Sequence, residues 1–149
     1  MEKKRIKKSI TIDASKEKVW DVLMLDNYNS IWYACFSEGT VAVTDWQVGS
    51  KVIFKDGSEN GLIGTVMINE PSKMLSVTYT GMLEGGKEDY ESEAAKDFAG
   101  SEETYVLSEN NNVTTLDISV DMGADYFDMM TEAWDHALVS IKELSENKN

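Results

Sequence analysis

The stretch from Asp125 to Glu146 constrains this chain more than any other, because it reads as one long amphipathic helix that follows a run of strands. At about 100° per residue, Phe127, Met130, Trp134, Ala137, Leu138, Ile141 and Leu144 share a stripe roughly 120° wide. Such a helix has to lay its stripe on a large apolar surface, and the preceding strands are the only candidate. Two wide apolar faces set against each other enclose either a packed core or a ligand cavity.

A chain of 149 residues most simply makes one domain over 1–149 and can bury a proper core. The net charge of −13 is unevenly spread, because residues 1–8 hold five basic groups and one acid. The remainder therefore carries −17, which argues against a nucleic-acid partner, since phosphate binding needs a basic groove. Lys3-Lys4-Arg5 and Lys7-Lys8 read as the solvated entry to a first strand rather than a binding arm. No run approaches the ~18 apolar residues of a membrane span, and Ser9-Ile10-Thr11-Ile12 is too short for a signal-peptide core. Cys35 is the single cysteine, so no intrachain disulfide and no cysteine-rich metal site can form. The expected location is cytoplasmic, and Asn112-Val113-Thr114 then reads as a turn rather than a glycosylation site.

Ile6 to Ile12 alternates as strand 1, and Ser15 is placed to cap a short helix over 16–25, with Val19, Trp20, Val22 and Leu23 on its buried side. A second helical turn covers Tyr28 to Ala34. From Gly39 the period changes to two, with strands at 39–45, 50–56, 60–70, 73–82, 101–109 and 112–120. Trp46-Gln47-Val48-Gly49, Asp56–Gly61, Pro71-Ser72 and Asn110–Asn112 punctuate them. In the last strand Leu116, Ile118 and Val120 share one face and Thr115, Asp117 and Ser119 the other. The segment 83–100 is a long acidic connection with Tyr90 and Phe98 as its large apolar groups. It has two open readings, a binding loop or lid and a solvated insertion with a turn of helix at 92–98.

The fold class is α+β: a seven-stranded curved antiparallel sheet wrapped around a long C-terminal helix, with two short helices between strands 1 and 2. This is the helix-grip arrangement. The run from Ser9 through Asp13-Ala14-Ser15 to Val19-Trp20 resembles the opening of the START-like, Bet v 1-like (SRPBCC) superfamily. Trp46-Gln47-Val48-Gly49, then Gly64-Thr65-Val66 leading to Glu70-Pro71, and the terminal helix from Asp121 through Trp134 to Leu144 are similar to its activator of Hsp90 ATPase homologue 1-like branch. The resemblance covers essentially the whole chain and rests on structural residues. It implies a fold that hosts ligand carriers, cyclases, hydrolases and cochaperone domains, so function has to be read from the site. Gly61, Gly64 and Gly81 fit the places where a curling sheet bends sharply.

Few residues suggest chemistry. His136, the single histidine, lies almost opposite the apolar stripe and should face solvent, which leaves no Ser/His/Asp or Cys/His arrangement. Cys35 reads as a residue of the pocket mouth or a small buried hydrophobe. Asp56–Gly61 imitates the first half of a calcium loop, but Met67 stands where a bidentate Glu is required, so a hairpin turn is the better reading. Catalytic residues, metal ligands and cofactors are therefore expected to be none. The expected cavity lining is Trp32, Phe54, Val66, Val77, Tyr79, Tyr105, Leu107, Leu116, Ile118, Phe127, Met130 and Trp134, with the parity of strand 60–70 ambiguous. Tyr79 and Tyr105 matter most, since a buried phenol needs a partner or a polar ligand atom.

These features point to a non-enzymatic protein that binds a small hydrophobic or amphipathic ligand, such as a lipid, between sheet and helix. Two alternatives stand beside it. One is a protein-interaction module, Hsp90-activator-like, with a protein partner. The other is a cyclase- or hydrolase-type enzyme, disfavoured because the inward set is almost wholly apolar or tyrosine. Nothing requires a membrane, and the chain is read as a monomer or homodimer.

Overall fold

Alternation in the first strand extends further toward the N-terminus than its apolar residues indicate. In the computed structural model, which describes residues 2–147, β1 spans Lys3–Ile12. It pairs antiparallel with the long strand β8, Val113–Gly123, in a register that sets Lys3 opposite Gly123 and Arg5 opposite Asp121. The basic run is thus part of the strand, not its entry, because Arg5 Nε donates to Asp121 Oδ1 at 2.8 Å across the pair. Asp13-Ala14-Ser15 ends β1, and Ser15 Oγ accepts from the Lys18 amide at 3.2 Å to cap α1, Lys16–Met24. The second helix α2 covers Asp26–Tyr33 and buries Asn29, Trp32 and Tyr33.

The remaining strands are β2 Val41–Val43, β3 Lys51–Lys55, β4 Gly61–Glu70, β5 Met74–Glu84, β6 Lys87–Asp89 and β7 Glu102–Asn110, all antiparallel. Seven of them run in the order β1-β8-β7-β5-β4-β3-β2, and β6 pairs only with β5. The sheet therefore has eight strands where the alternation pattern gives seven. The extra one comes from a tight hairpin at Gly85-Gly86, both at positive φ, inside the acidic connection.

Two register shifts between β4 and β5 explain the ambiguous parity of strand 60–70, one at Ile63/Gly64 and one at Val66/Ile68. Leu62, Gly64 and Val66 turn toward the core, Ile63 is buried apart from that core opposite Gly81, and Met67 is exposed. Gly64 is required there, because a Cβ would lie 2.8 Å from a Val77 methyl and 2.9 Å from the Thr78 carbonyl. The bulges bend the sheet, and its concave face receives α4, Phe127–Glu146, entered through a short 3-10 turn at Ala124–Tyr126. Trp134, Ala137, Leu138 and Ile141 of α4 are buried, with Phe127, Met130 and Leu144 half-buried beside them. No helix among the described residues is long and apolar enough to cross a membrane.

Candidate functional site

Where α2 and α4 face the middle of the sheet, packing is incomplete and leaves a cavity of about 290 Å³. Its wall is aromatic because period-2 strands and the helical stripe send the largest side chains inward. α2 contributes Trp32 and Tyr33, β3 contributes Phe54, β5 contributes Tyr79, β7 contributes Tyr105 and α4 contributes Met130 and Trp134. The rings touch in sequence around it. Trp32 and Tyr33 lie 4.5 Å apart between centroids, Tyr33 and Phe54 5.8 Å, Phe54 and Tyr79 6.2 Å, and Tyr105 and Trp134 6.0 Å. Most of these contacts are edge-to-face or tilted, the geometry that aromatic quadrupoles favour.

Six of the twelve residues expected to line the cavity do so: Trp32, Phe54, Tyr79, Tyr105, Met130 and Trp134. Val66, Val77, Leu107, Leu116 and Ile118 are buried in the packed core instead, and Phe127 is half-buried away from the wall under the Lys4 ammonium, 5.3 Å from its ring. These aliphatic residues share a face with wall residues but belong to the packed core, and the cavity lies over the aromatic part of the sheet.

One wall residue departs from the apolar reading of this face. Glu103 of β7 shares the parity of Tyr105 and Leu107, and its carboxyl turns into the cavity. Tyr79 Oη donates to Glu103 Oε1 at 3.0 Å, and Tyr105 Oη donates to Glu103 Oε2. Burial raises the Glu103 pKa above the ordinary carboxylate value, and the two phenol hydrogen bonds oppose that rise. Burial together with the nearby Glu103 charge pushes Tyr33, Tyr79 and Tyr105 above the ordinary phenol value, so all three stay neutral. The inward set, expected to be almost wholly apolar or tyrosine, therefore contains an acid. Strand parity is the signal for it, since Tyr105 and Leu107, two and four residues on, face inward.

The cavity has two further carboxylates at its margins, each held by its own local partners. Asp121 is held below its ordinary pKa by Arg5 and by the Glu102 amide, which outweigh its partial burial. Asp56 accepts from the Ser58 and Asn60 amides and from Ser37 Oγ, so Asp56–Gly61 is a hydrogen-bonded hairpin turn. On the wall itself, the buried indole N–H of Trp134 has no acceptor among the described residues, whereas that of Trp32 donates to the Val22 carbonyl at 2.9 Å.

The acidic connection is part of the wall. Ser92 caps a short helix α3, Glu93–Phe98, by accepting from the Ala95 amide at 3.1 Å, and Phe98 packs on Tyr79 with ring centroids 5.0 Å apart. The Gly100 amide donates to the Tyr79 carbonyl and the Tyr79 amide to the Ser101 carbonyl, which ties the segment to β5. Tyr90 covers Gly81, where a Cβ would meet its ring at 2.5 Å. Cys35 is exposed and lines nothing, neither pocket mouth nor core. His136 is exposed on the outer side of α4.

Solved structures share this arrangement. The Aha1 dimer from Colwellia psychrerythraea superposes with a TM-score of 0.74 at 20% identity over 96% of both chains. The chain shares the fold of this Aha1 structure. The same Aha1-type arrangement is seen in ChR145 from Cytophaga hutchinsonii, with a TM-score of 0.71 at 20% identity over 99% of this chain and 98% of that one. CalU16 from Micromonospora echinospora gives 0.66 at 18% identity over 97% of this chain and 76% of its own. No protein-family model and no curated protein matches the chain. At these identities the likeness concerns the Aha1-type fold alone, and the polar equipment of the cavity is read from this chain's own residues.

Proposed function

We propose that the chain binds a small hydrophobic or amphipathic molecule in the cavity between the sheet and α4. The observation that carries this reading is a cavity of about 290 Å³ walled by aromatic rings, with the Glu103 carboxyl and its phenol partners converging on it. The volume lies at the lower end of small-molecule sites, which suits a ligand of modest size. Burying ~200 Å² of apolar ligand surface would contribute about 5 kcal/mol before the cost of immobilisation. The polar groups on the wall would set orientation. The lone exposed thiol of Cys35 suits a reducing, cytoplasmic setting.

Native mass spectrometry of freshly purified protein, with an organic extract of the same sample, tests the reading. A stoichiometric adduct lost on denaturation supports it. Titration of a panel of apolar and amphipathic probes against Trp32 and Trp134 fluorescence completes the test, and no saturable change with any probe would sink it. A second reading, an interaction module, draws on the likeness to a protein described as a dimer. Salt-sensitive capture of one stoichiometric partner, with no ligand bound, would favour that instead.

A further inference from the structure

We propose that the ligand of this cavity is an organic cation: an apolar body bearing one amine or ammonium group, with the charged nitrogen seated between Glu103 and the aromatic wall. The inference rests on the cavity-binding reading above and assigns its ligand class. It begins with sign. The ionisable side chains lining the cavity, apart from tyrosine, are Asp56, Glu103 and Asp121, and among the described residues no lysine, arginine or histidine stands on the wall. Asp121 has Arg5 and Asp56 has backbone amides, but the partners of Glu103 are two neutral phenols.

A carboxylate in a water-poor site without a counter-charge is costly, and a cation is the partner that removes that cost. The two phenols donate one to each carboxylate oxygen, which orients the carboxyl and leaves each oxygen a further acceptor site. Aromatic faces supply the rest. Trp32, Tyr33, Tyr79, Tyr105 and Trp134 surround the same void, and ring faces attract a desolvated cation while its alkyl or aryl body packs on them. An anionic ligand such as a fatty acid meets the opposite: a like charge at Glu103, no basic group on the wall, and a protein of net charge −13.

Three probes with one tail separate the possibilities: n-octylamine as its ammonium ion, 1-octanol and octanoate, each titrated at pH 7 into the intact protein by calorimetry. Octylammonium is expected to bind at least tenfold more tightly than octanol, with octanoate weakest. In Glu103→Gln, which keeps shape and hydrogen-bonding capacity, the amine-over-alcohol ratio should fall close to one. Octanoate binding as tightly as octylammonium, or a ratio unchanged in Glu103→Gln, overturns the cation assignment while leaving a ligand cavity in place. Failure of all three probes to bind overturns both readings. The wild-type comparison of amine with carboxylate decides the sign even where the variant does not fold.

Discussion

In β7 the side chains of Glu103, Tyr105 and Leu107 point the same way, so the carboxyl is carried inward by strand geometry and held there by two phenols rather than by a cation. That placement has a consequence for stability. Burial raises the folded-state pKa of Glu103 above its unfolded value, so between those two values the native protein binds more protons than the unfolded chain. Stability contributed at this site is then fullest below the unfolded pKa, near 4.3, and is lost as pH rises through the folded pKa. The titratable groups facing it do not share the window. Tyr33, Tyr79 and Tyr105 are shifted further upward and stay neutral, while Asp56 and Asp121 are shifted downward and stay ionised. Glu103→Gln removes the titration, so urea midpoints should diverge in the variant's favour as pH is raised from about 4.5 to 8. A constant difference across that range, or one that shrinks with pH, would contradict the raised pKa. Trp134 belongs at the same scale: Trp134→Ala should cost about 3–5 kcal/mol, because it empties the junction between α4 and the ring wall.

At the scale of elements, the acidic connection supports the site through α3. Its cap and its one large anchor are separable: Ser92→Ala should cost about 1 kcal/mol of helix stability, and Phe98→Ala about 3 kcal/mol, with a wider cavity. Hydrogen exchange at Ala95 and Ala99 checks the first, because loss of the cap should speed exchange there while β8 amides stay protected. Uniform acceleration across the sheet would instead make α3 inseparable from the global fold. What the sequence discloses follows the same division. The α4 stripe, the Ser15 cap and the alternation in β8 are legible because each is a long or chemically specific pattern, and together they give the helix-grip arrangement. β6 is short and its signal, Gly85-Gly86, lies within a run of acids that reads as solvated, whereas the turn of helix read at 92–98 is α3. The two register shifts in β4 come from pairing with β5, which no local pattern encodes. Glu103 differs: its inward direction is encoded only in the parity it shares with Tyr105 and Leu107.

For the molecule as a whole, charge is arranged by strand. The long edge strand β1 carries Lys3, Lys4, Arg5, Lys7 and Lys8, while most other surfaces are acidic. Lysine along an unpaired edge discourages strand-to-strand association with a second copy, since two such edges repel. β1 is also tied to acids within the chain: Arg5 meets Asp121 at 2.8 Å and Glu102 at 3.7 Å, and Lys8 meets Asp135 at 2.6 Å. These pairs are mostly exposed, and such pairs are individually worth between about 0 and 1 kcal/mol. Against them stands the self-repulsion of a net charge of −13, which acts over the whole surface. The two effects respond oppositely to salt, because screening weakens attraction between neighbours and repulsion among the excess acids alike. Raising ionic strength from about 0.01 M to 0.15 M shortens the screening length from about 30 to 8 Å, less than the span of the molecule but longer than a contact pair. Long-range repulsion is therefore screened first, and the melting temperature should rise, by about 2–4 °C for each kcal/mol of repulsion relieved. Calorimetric melts in sodium chloride over that range read the sign directly. A fall in melting temperature would mean that the ties between β1 and its acidic neighbours outweigh the net charge, and that the basic strand is an electrostatic clasp on the sheet edge.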